Sequence, residues 1–416
     1  MKESESSVNT HYDIAIVGGG LVGACLARAM SDLPIKIAIV EAVKYQAATQ
    51  PSFDDRALAL SFGSRRIFEG LGLWQNLSEK VTPIHHIHVS EQSKFAATRI
   101  SATQEDVDAL GYVLTARQLG LSIIEQMQTQ QNLTFYMPAE VVAIDNKSPG
   151  VAKAELGFIY QDKLTAITAN LVVAADGGKS TIRNLLNIST RTSDYRQTAV
   201  VTNIIAQLPH KNVAYERFTR HGPLALLPMQ GQSLSLVWTQ TEKSLDSVLQ
   251  LSDADFNAEV QAIIGNRLGK FTRVGRRLSY PLQLTRAKEQ TRPRLVLVGN
   301  AVHTLHPVAG QGFNLGLRDI AVLAQVLSDA IKNGVDVGDS SILQDYVAWR
   351  KSDHAKTIGF THALVKIFSN NIIPLPQLRN LGLLATDLCP SAKHVLARTT
   401  MGLTGRLPRL ARGMPL

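Results

Sequence analysis

The chain has 416 residues, 45% hydrophobic and 19% charged, a balance that excludes a disordered chain and leaves room for one large core or two fused lobes. Only Cys25 and Cys389 occur, which excludes a disulfide framework or a clustered-cysteine zinc site and fits a reducing compartment. The formal net charge of +9 suits nucleic acid, anionic lipid or an anionic cofactor equally, and does not choose among them.

Residues 1–13 (MKESESSVNTHYD) are polar and lack the apolar run of a signal peptide, so export is not expected. No later stretch approaches the roughly 20 apolar residues of a spanning helix, so no transmembrane segment is expected. Residues 13–17 (DIAIV) read as a buried strand, 18–23 as a turn, 21–31 as a helix of small residues and 36–41 (KIAIVE) as a second strand, a βαβ unit of dinucleotide-binding length. Helices are expected near 61–69 and 117–129, with strands between 135 and 173. From 198 to 241 apolar and polar residues alternate between turn signals, which predicts an antiparallel sheet and the main part of a second lobe. Residues 294–298 (RLVLV) return to the continuous apolar run of a parallel strand buried on both faces. The nucleotide domain is therefore expected to be discontinuous. From Gly312 onward the pattern is largely helical.

Three segments carry the chemistry. In the first, Gly18-Gly19-Gly20-Leu21-Val22-Gly23 lies between strand and helix with Glu41 ending the next strand. Gly18 permits the tight turn, Gly20 lets backbone approach a pyrophosphate at the helix N-terminus, and Gly23 lets helix and strand pack closely. Glu41 is placed to accept from ribose hydroxyls. A GxGxxG alone is a weak signal, and the strand-turn-helix-strand-acid context is what strengthens it. In the second, 171–183 (LVVAADGGKSTIR), a buried strand ends on Asp176-Gly177, followed by Ser180 and Arg183. In the third, 295–314 (LVLVGNAVHTLHPVAGQGFN), a strand runs into Gly299-Asn300, then His303, His306, Pro307 and the Gly310-Gln311-Gly312-Phe313-Asn314 turn that opens a helix. Each puts backbone N–H groups and a polar side chain at the carboxyl end of a parallel strand, where such sheets bind ligands.

These motifs resemble those of the class A flavoprotein monooxygenases, the para-hydroxybenzoate hydroxylase family, with a GxGxxG, a DGxxSxxR-like segment and a GD-like segment followed by AxH, Pro and GxGxN. The likeness covers most of the chain. It is strongest to the ubiquinone-biosynthesis branch, through residues 51–74, 299–319 and the ending ARGMPL. The resemblance implies an α/β fold in which a discontinuous Rossmann-like FAD/NAD(P)-binding domain (1–80, 100–185 and 285–340) carries an inserted antiparallel-sheet substrate domain (81–99 and 186–284), followed by a helical C-terminal region (341–416). It implies FAD held by Gly18, Gly20, Gly23, Glu41, Asp176, Gly177, Gly299, Asn300, Gly310, Gly312, Phe313 and Asn314. Arg56 matches an arginine beside the flavin, and Arg117, or a residue next to it, one against the cofactor. Where most relatives have Asp, this chain has Asn300, whose amide still accepts a ribitol hydroxyl. NAD(P)H is implied as electron donor without a nicotinamide domain of its own, in keeping with the single GxGxxG.

The implied reaction is hydroxylation of the ring of a polyprenyl phenol, of the 2-polyprenyl-6-methoxyphenol type, with O2. The cofactor carries that chemistry, so no protein group is assigned as catalytic, and His306 and Pro307 are the loop candidates beside the reacting ring. His303 and His306 read better as loop-fixing residues than as acid or base. His85, His86 and His88 (HHIH) lack acidic or cysteine partners, and no metal is expected. Two rivals remain: a flavin-dependent prenyl-lipid reductase, and a non-catalytic FAD-binding subunit of a quinone-biosynthesis complex. The absence of a WxW pair counts against a halogenase. Nucleic acid is not among the expected partners. The C-terminal stretch holds Arg379, Lys393, Arg398, Arg406, Arg409 and Arg412 against one acid, Asp387. It reads either as solvated helix faces or as a surface for anionic membrane or a partner, which gives a cytoplasmic protein peripheral to the inner face of the inner membrane.

Overall fold

The computed structural model describes residues 10–45, 54–146, 152–368 and 375–416; positions 51–53 of the family-like segment lie outside them. The apolar runs build a sheet whose parallel strands stand in the order Leu295–Leu297, Lys163–Ala174, Thr10–Val17, Ile37–Val40 and Leu133–Tyr136. Because successive side chains point to opposite faces, these strands need cover on both sides. Ile14, Ile16, Val173 and Val296 pack with Leu26, Ile123 and Leu317 from helices Leu21–Ala29, Ala116–Met127 and Gln311–Lys332. Ala15, Val17, Val172 and Leu295 face the other way, onto Leu156 and Phe158 of an antiparallel excursion formed by Ala139–Asp145 and Ala154–Tyr160.

The alternating middle of the chain forms a nine-stranded sheet around Thr190–Ala206 and Ser233–Thr241. One face of it, including Val200, Leu224, Leu226, Leu236 and Trp238, is sealed by Phe256, Val260 and Ile263. These come from helix Asp253–Ile264, which with Glu242–Gln250 follows a stretch whose alternation predicts strands alone. Ser252 marks the start of the second by accepting from the Asp255 N–H at 3.1 Å. A short strand, His303–Thr304, pairs with Leu278–Ala287 and so ties the third motif to the edge of this sheet.

Beyond Gln311–Lys332 come helices Ser340–Phe368, Leu375–Leu388 and Pro390–Thr400. The segment 401–416 then returns to the first domain. There the Gly63 N–H donates to the Met401 carbonyl at 2.9 Å, and Leu410 and Ala411 are buried with Phe68 in the main core.

Candidate functional site

The glycine turn is shaped by close backbone contact. Gly18 has φ +99°, and a Cβ there would lie 2.6 Å from the Ala175 carbonyl oxygen; one at Gly23 would lie 2.0 Å from the Gly18 carbonyl oxygen. Neither position accepts a side chain without moving main chain. Gly20 is the N-cap of helix Leu21–Ala29, which has no side-chain cap and no acid in its first turn, so its leading N–H groups stay available for an anion. Glu41, directly after strand Ile37–Val40, accepts from the Gly19 N–H at 2.5 Å and the Val43 N–H at 2.9 Å. It therefore braces the turn as well as standing where a ribose is expected.

The three motifs meet. A Cβ on Gly18 would also touch Asp176, one on Gly299 (φ +57°) would come within 3.1 Å of Val22, and one on Gly316 within 3.4 Å of the Gly299 Cα. Arg183, buried, ties the second motif to the third by donating to the carbonyls of Ala301, at 2.7 Å, and Gly178. Burial without a full set of cations pushes the Asp176 carboxyl up; its Oδ2 accepts from the Ile182 N–H at 3.0 Å, and its Oδ1 is a buried oxygen with no partner among the described residues. Gly177 (φ +80°) and Gly312 both face open space, with nothing within 4 Å of a Cβ position. An unmet acceptor, two open glycines and two uncapped helix N-termini, the second at Gly310 (φ +61°), fit a pyrophosphate joined to a polyol and a flat ring, which is FAD.

Other expected ligands are placed differently from one another. Asn300 is exposed on the short helix Gly299–Ala301. Asn314 is buried and fully used within the protein: its Oδ1 accepts from the Ser61 N–H (2.9 Å) and the Ser64 hydroxyl (2.6 Å), and its Nδ2 donates to the carbonyls of Ala59 (2.8 Å) and Gly310 (2.7 Å). Its side chain thus fastens the third loop to strand Ala57–Ser61. Phe313 is half-buried against the main core. Arg56 pairs with Asp54 at 2.5 Å and lies 5.1 Å over the Tyr280 ring; Arg117, at the start of its helix, grips Asp55 at 2.7 and 3.3 Å. The His306 Nδ1 accepts from the Val308 N–H at 3.1 Å, fixing the turn around exposed Pro307, and burial holds its ring neutral with a pKa down at about 4.

Sequence reasoning missed a charged knot behind the loop. Asp319, fully buried, accepts from Arg350 Nε at 2.7 Å and bonds His354 Nε2 at 2.6 Å, with His303 Nε2 at 3.7 Å; Arg350 also reaches Asp353 at 2.6 Å. His303, Asp319 and His354 bring potential metal ligands within 4.8 Å of one another, but the arginine already on the same carboxylate makes the group an ion-pair network. Against desolvation, which would raise it, the hydrogen bond from His354 and the Arg350 guanidinium hold the Asp319 carboxyl far below the usual range. By contrast, His86 is exposed on strand His86–Glu91 and His88 sits half-buried by Tyr215.

Residues 11–361 match the model of the FAD-binding-domain family. The ubiquinone hydroxylase UbiL of Rhodospirillum rubrum is 36% identical over 407 residues, covering 97% of this chain and 93% of its own. The 3-demethoxyubiquinol 3-hydroxylase of Escherichia coli is 29% identical over 399 residues, covering 95% and 100%. Among solved structures, the p-nitrophenol 4-monooxygenase PnpA of Pseudomonas putida superposes with a TM-score of 0.78 at 17% identity, over 96% of this chain and all of that one.

Proposed function

Since the chain belongs to the FAD-binding-domain family and is an FAD-dependent monooxygenase, we propose that it hydroxylates the ring of a polyprenyl phenol, 2-polyprenyl-6-methoxyphenol, in ubiquinone biosynthesis, using NAD(P)H and O2. The observation that carries this reading is the likeness to a ubiquinone hydroxylase along nearly the whole chain, with all three cofactor turns present and in mutual contact. FAD, when bound, supplies the redox chemistry with dioxygen. The chain supplies the rest. The N-termini at Gly20 and Gly310 and the Asp176 Oδ1 would hold and orient the cofactor, and Asn314 and Arg183 keep its loops in register. Deleting the gene and profiling quinone precursors tests the assignment. Accumulation of 2-polyprenyl-6-methoxyphenol supports it, another precursor moves the ring position, and an unchanged quinone pool rejects it. Incorporation of labelled oxygen into the product separates the hydroxylase from a prenyl-lipid reductase.

Such a substrate resides in a bilayer, and the protein meets it there through helix Leu375–Leu388 rather than through the basic tail. Among the described residues no helix is long and apolar enough to cross a membrane. Arg379 is buried on Glu91, Lys393 pairs with Asp387, and Arg409 with Asp329, so half of the tail's expected cations are engaged internally. Leu378, Leu381, Ala385 and Leu388 instead form an outward stripe at helical spacing, and Phe95, 78% exposed, adjoins it where the Ala96 N–H donates to Asn380. Exposed Lys94, next to Phe95 in the chain, adds a cation beside it, which suits anionic lipid. Flotation on vesicles containing phosphatidylglycerol is expected for the wild type and lost on Leu378→Gln/Leu381→Gln/Leu388→Gln; equal flotation of both proteins rejects this face.

A further inference from the structure

We propose that Glu216 receives the hydroxyl of the phenol substrate and takes its proton, an inference that rests on the hydroxylase reading above. Strand Val213–Thr219 alternates its side chains, so Ala214, Glu216 and Phe218 share one face. Ala214 packs in a cluster with Ile84, Val113 and Ala57, the residue after Arg56. Phe218 packs with Val308, the residue after Pro307, and stacks on Phe368 at 3.5 Å. Glu216 thus stands between two contacts that reach the segments bordering the cofactor site.

The wall around it is apolar and only partly covered. Val89 and Ala225 are its partners on the adjoining strands, and Val237 and Val201 continue the same face. All four are half-buried, whereas Leu224, Leu226, Leu236 and Val200 on the opposite face are fully sealed. A half-buried apolar sheet face turned toward a cofactor site is the wall of a substrate cleft.

Among the described residues Glu216 has neither a hydrogen bond nor an ion pair. The other charged or titratable groups on this side are otherwise engaged: Glu91 with Arg379, Arg56 with Asp54 and Tyr280, Tyr195 with His362, while the His306 ring, edge-on to Tyr195, keeps its Nδ1 on the Val308 N–H. Arg217 and Tyr215 belong to the opposite face. Glu216 is itself half-buried, and desolvation with no cation beside it pushes its carboxyl up to about 7, where a base for a phenol is effective near neutral pH. A partnerless carboxylate on an apolar wall costs stability, and no element of the fold uses it.

The step is a proton transfer. The phenol O–H bond breaks, an Oε–H bond forms on Glu216, and the electron pair remains on the phenol oxygen, which makes the ring more reactive toward an electrophilic oxygen. No oxidant is consumed in it.

The test compares FAD-loaded wild type, Glu216→Gln and Glu216→Asp on a 2-methoxyphenol bearing a short prenyl chain, measuring hydroxylated product against pH, FAD content and the unfolding midpoint. Glu216→Gln is expected to keep its FAD, to lose about a hundredfold or more in kcat/KM, and to lose the rise of rate with pH near 7, with partial recovery in Glu216→Asp. Its unfolding midpoint should equal or exceed that of the wild type, the reverse of what a structural role gives. A wild-type pH profile in Glu216→Gln, or a lowered midpoint, overturns the assignment while leaving the hydroxylase reading intact. A wild type that forms no hydroxylated product rejects that reading, and this inference falls with it.

Discussion

Asp319, fully buried on the helix that follows the third cofactor motif, and Asp176, half-buried in the second with one oxygen fully enclosed, are finished in opposite ways. Asp319 is met by Arg350 and His354, with His303 beyond, and its pKa is driven down. Asp176 is held on Oδ2 by the Ile182 N–H, has an enclosed Oδ1 with no partner among the described residues, and has its pKa driven up by desolvation. A buried charge whose partners are all internal is part of the scaffold, while one left short of a partner points to a molecule the protein has yet to bind.

The same isosteric change separates the two. Asp319→Asn should destabilise the protein by about 3–5 kcal/mol in urea unfolding, because it strands Arg350 and His354 in the interior. The Asp319 contribution is present above the ordinary carboxylate pKa and is lost as pH falls through its depressed value, so the deficit should persist across the neutral range and close only in strong acid. A deficit below about 1 kcal/mol at neutral pH would erase the contrast. Asp176→Asn should leave the unliganded protein as stable or slightly more so, since its raised pKa means that the ionised carboxylate costs stability as pH rises through that value. Its effect should appear in FAD titration, as a loss of about 1–3 kcal/mol, because an amide hydrogen would replace the acceptor at Oδ1. Unchanged FAD affinity would assign Asp176 to the loop alone.

How far the sequence reveals these features follows from how local each one is. The glycine turns were readable because φ above zero and close backbone approach require glycine at fixed spacing, and the continuous apolar runs marked the parallel strands. The antiparallel sheet is readable from alternation, but alternation does not say which face is sealed by helices, so the sequence does not single out Glu216. Helices Glu242–Gln250 and Asp253–Ile264 lie in the expected second lobe, and Ser252 with its neighbouring acids is the local helix-start signal for the latter. The Asp319 knot joins residues 31 and 35 positions apart, each of which reads as the polar face of a helix until the two helices are packed together. Asn314 is a related case, a motif residue whose side chain bonds are made to Ala59, Ser61 and Ser64, some 250 positions away.

The return of residues 401–411 to the first domain has a consequence for biosynthesis. The strand Thr10–Val17 needs Lys163–Ala174 beside it, that strand needs Leu295–Leu297, and part of the helix Phe62–Gly70 is covered by Leu410. A polypeptide emerging from the ribosome therefore carries the glycine turn through the synthesis of about 280 further residues, to Leu295–Leu297, before the parallel sheet can close. High contact order of this kind slows folding and keeps apolar strand surface open to aggregation, so the nascent chain is a natural client for holding chaperones, and FAD can stabilise it only after the third cofactor turn, ending at Asn314, has been made.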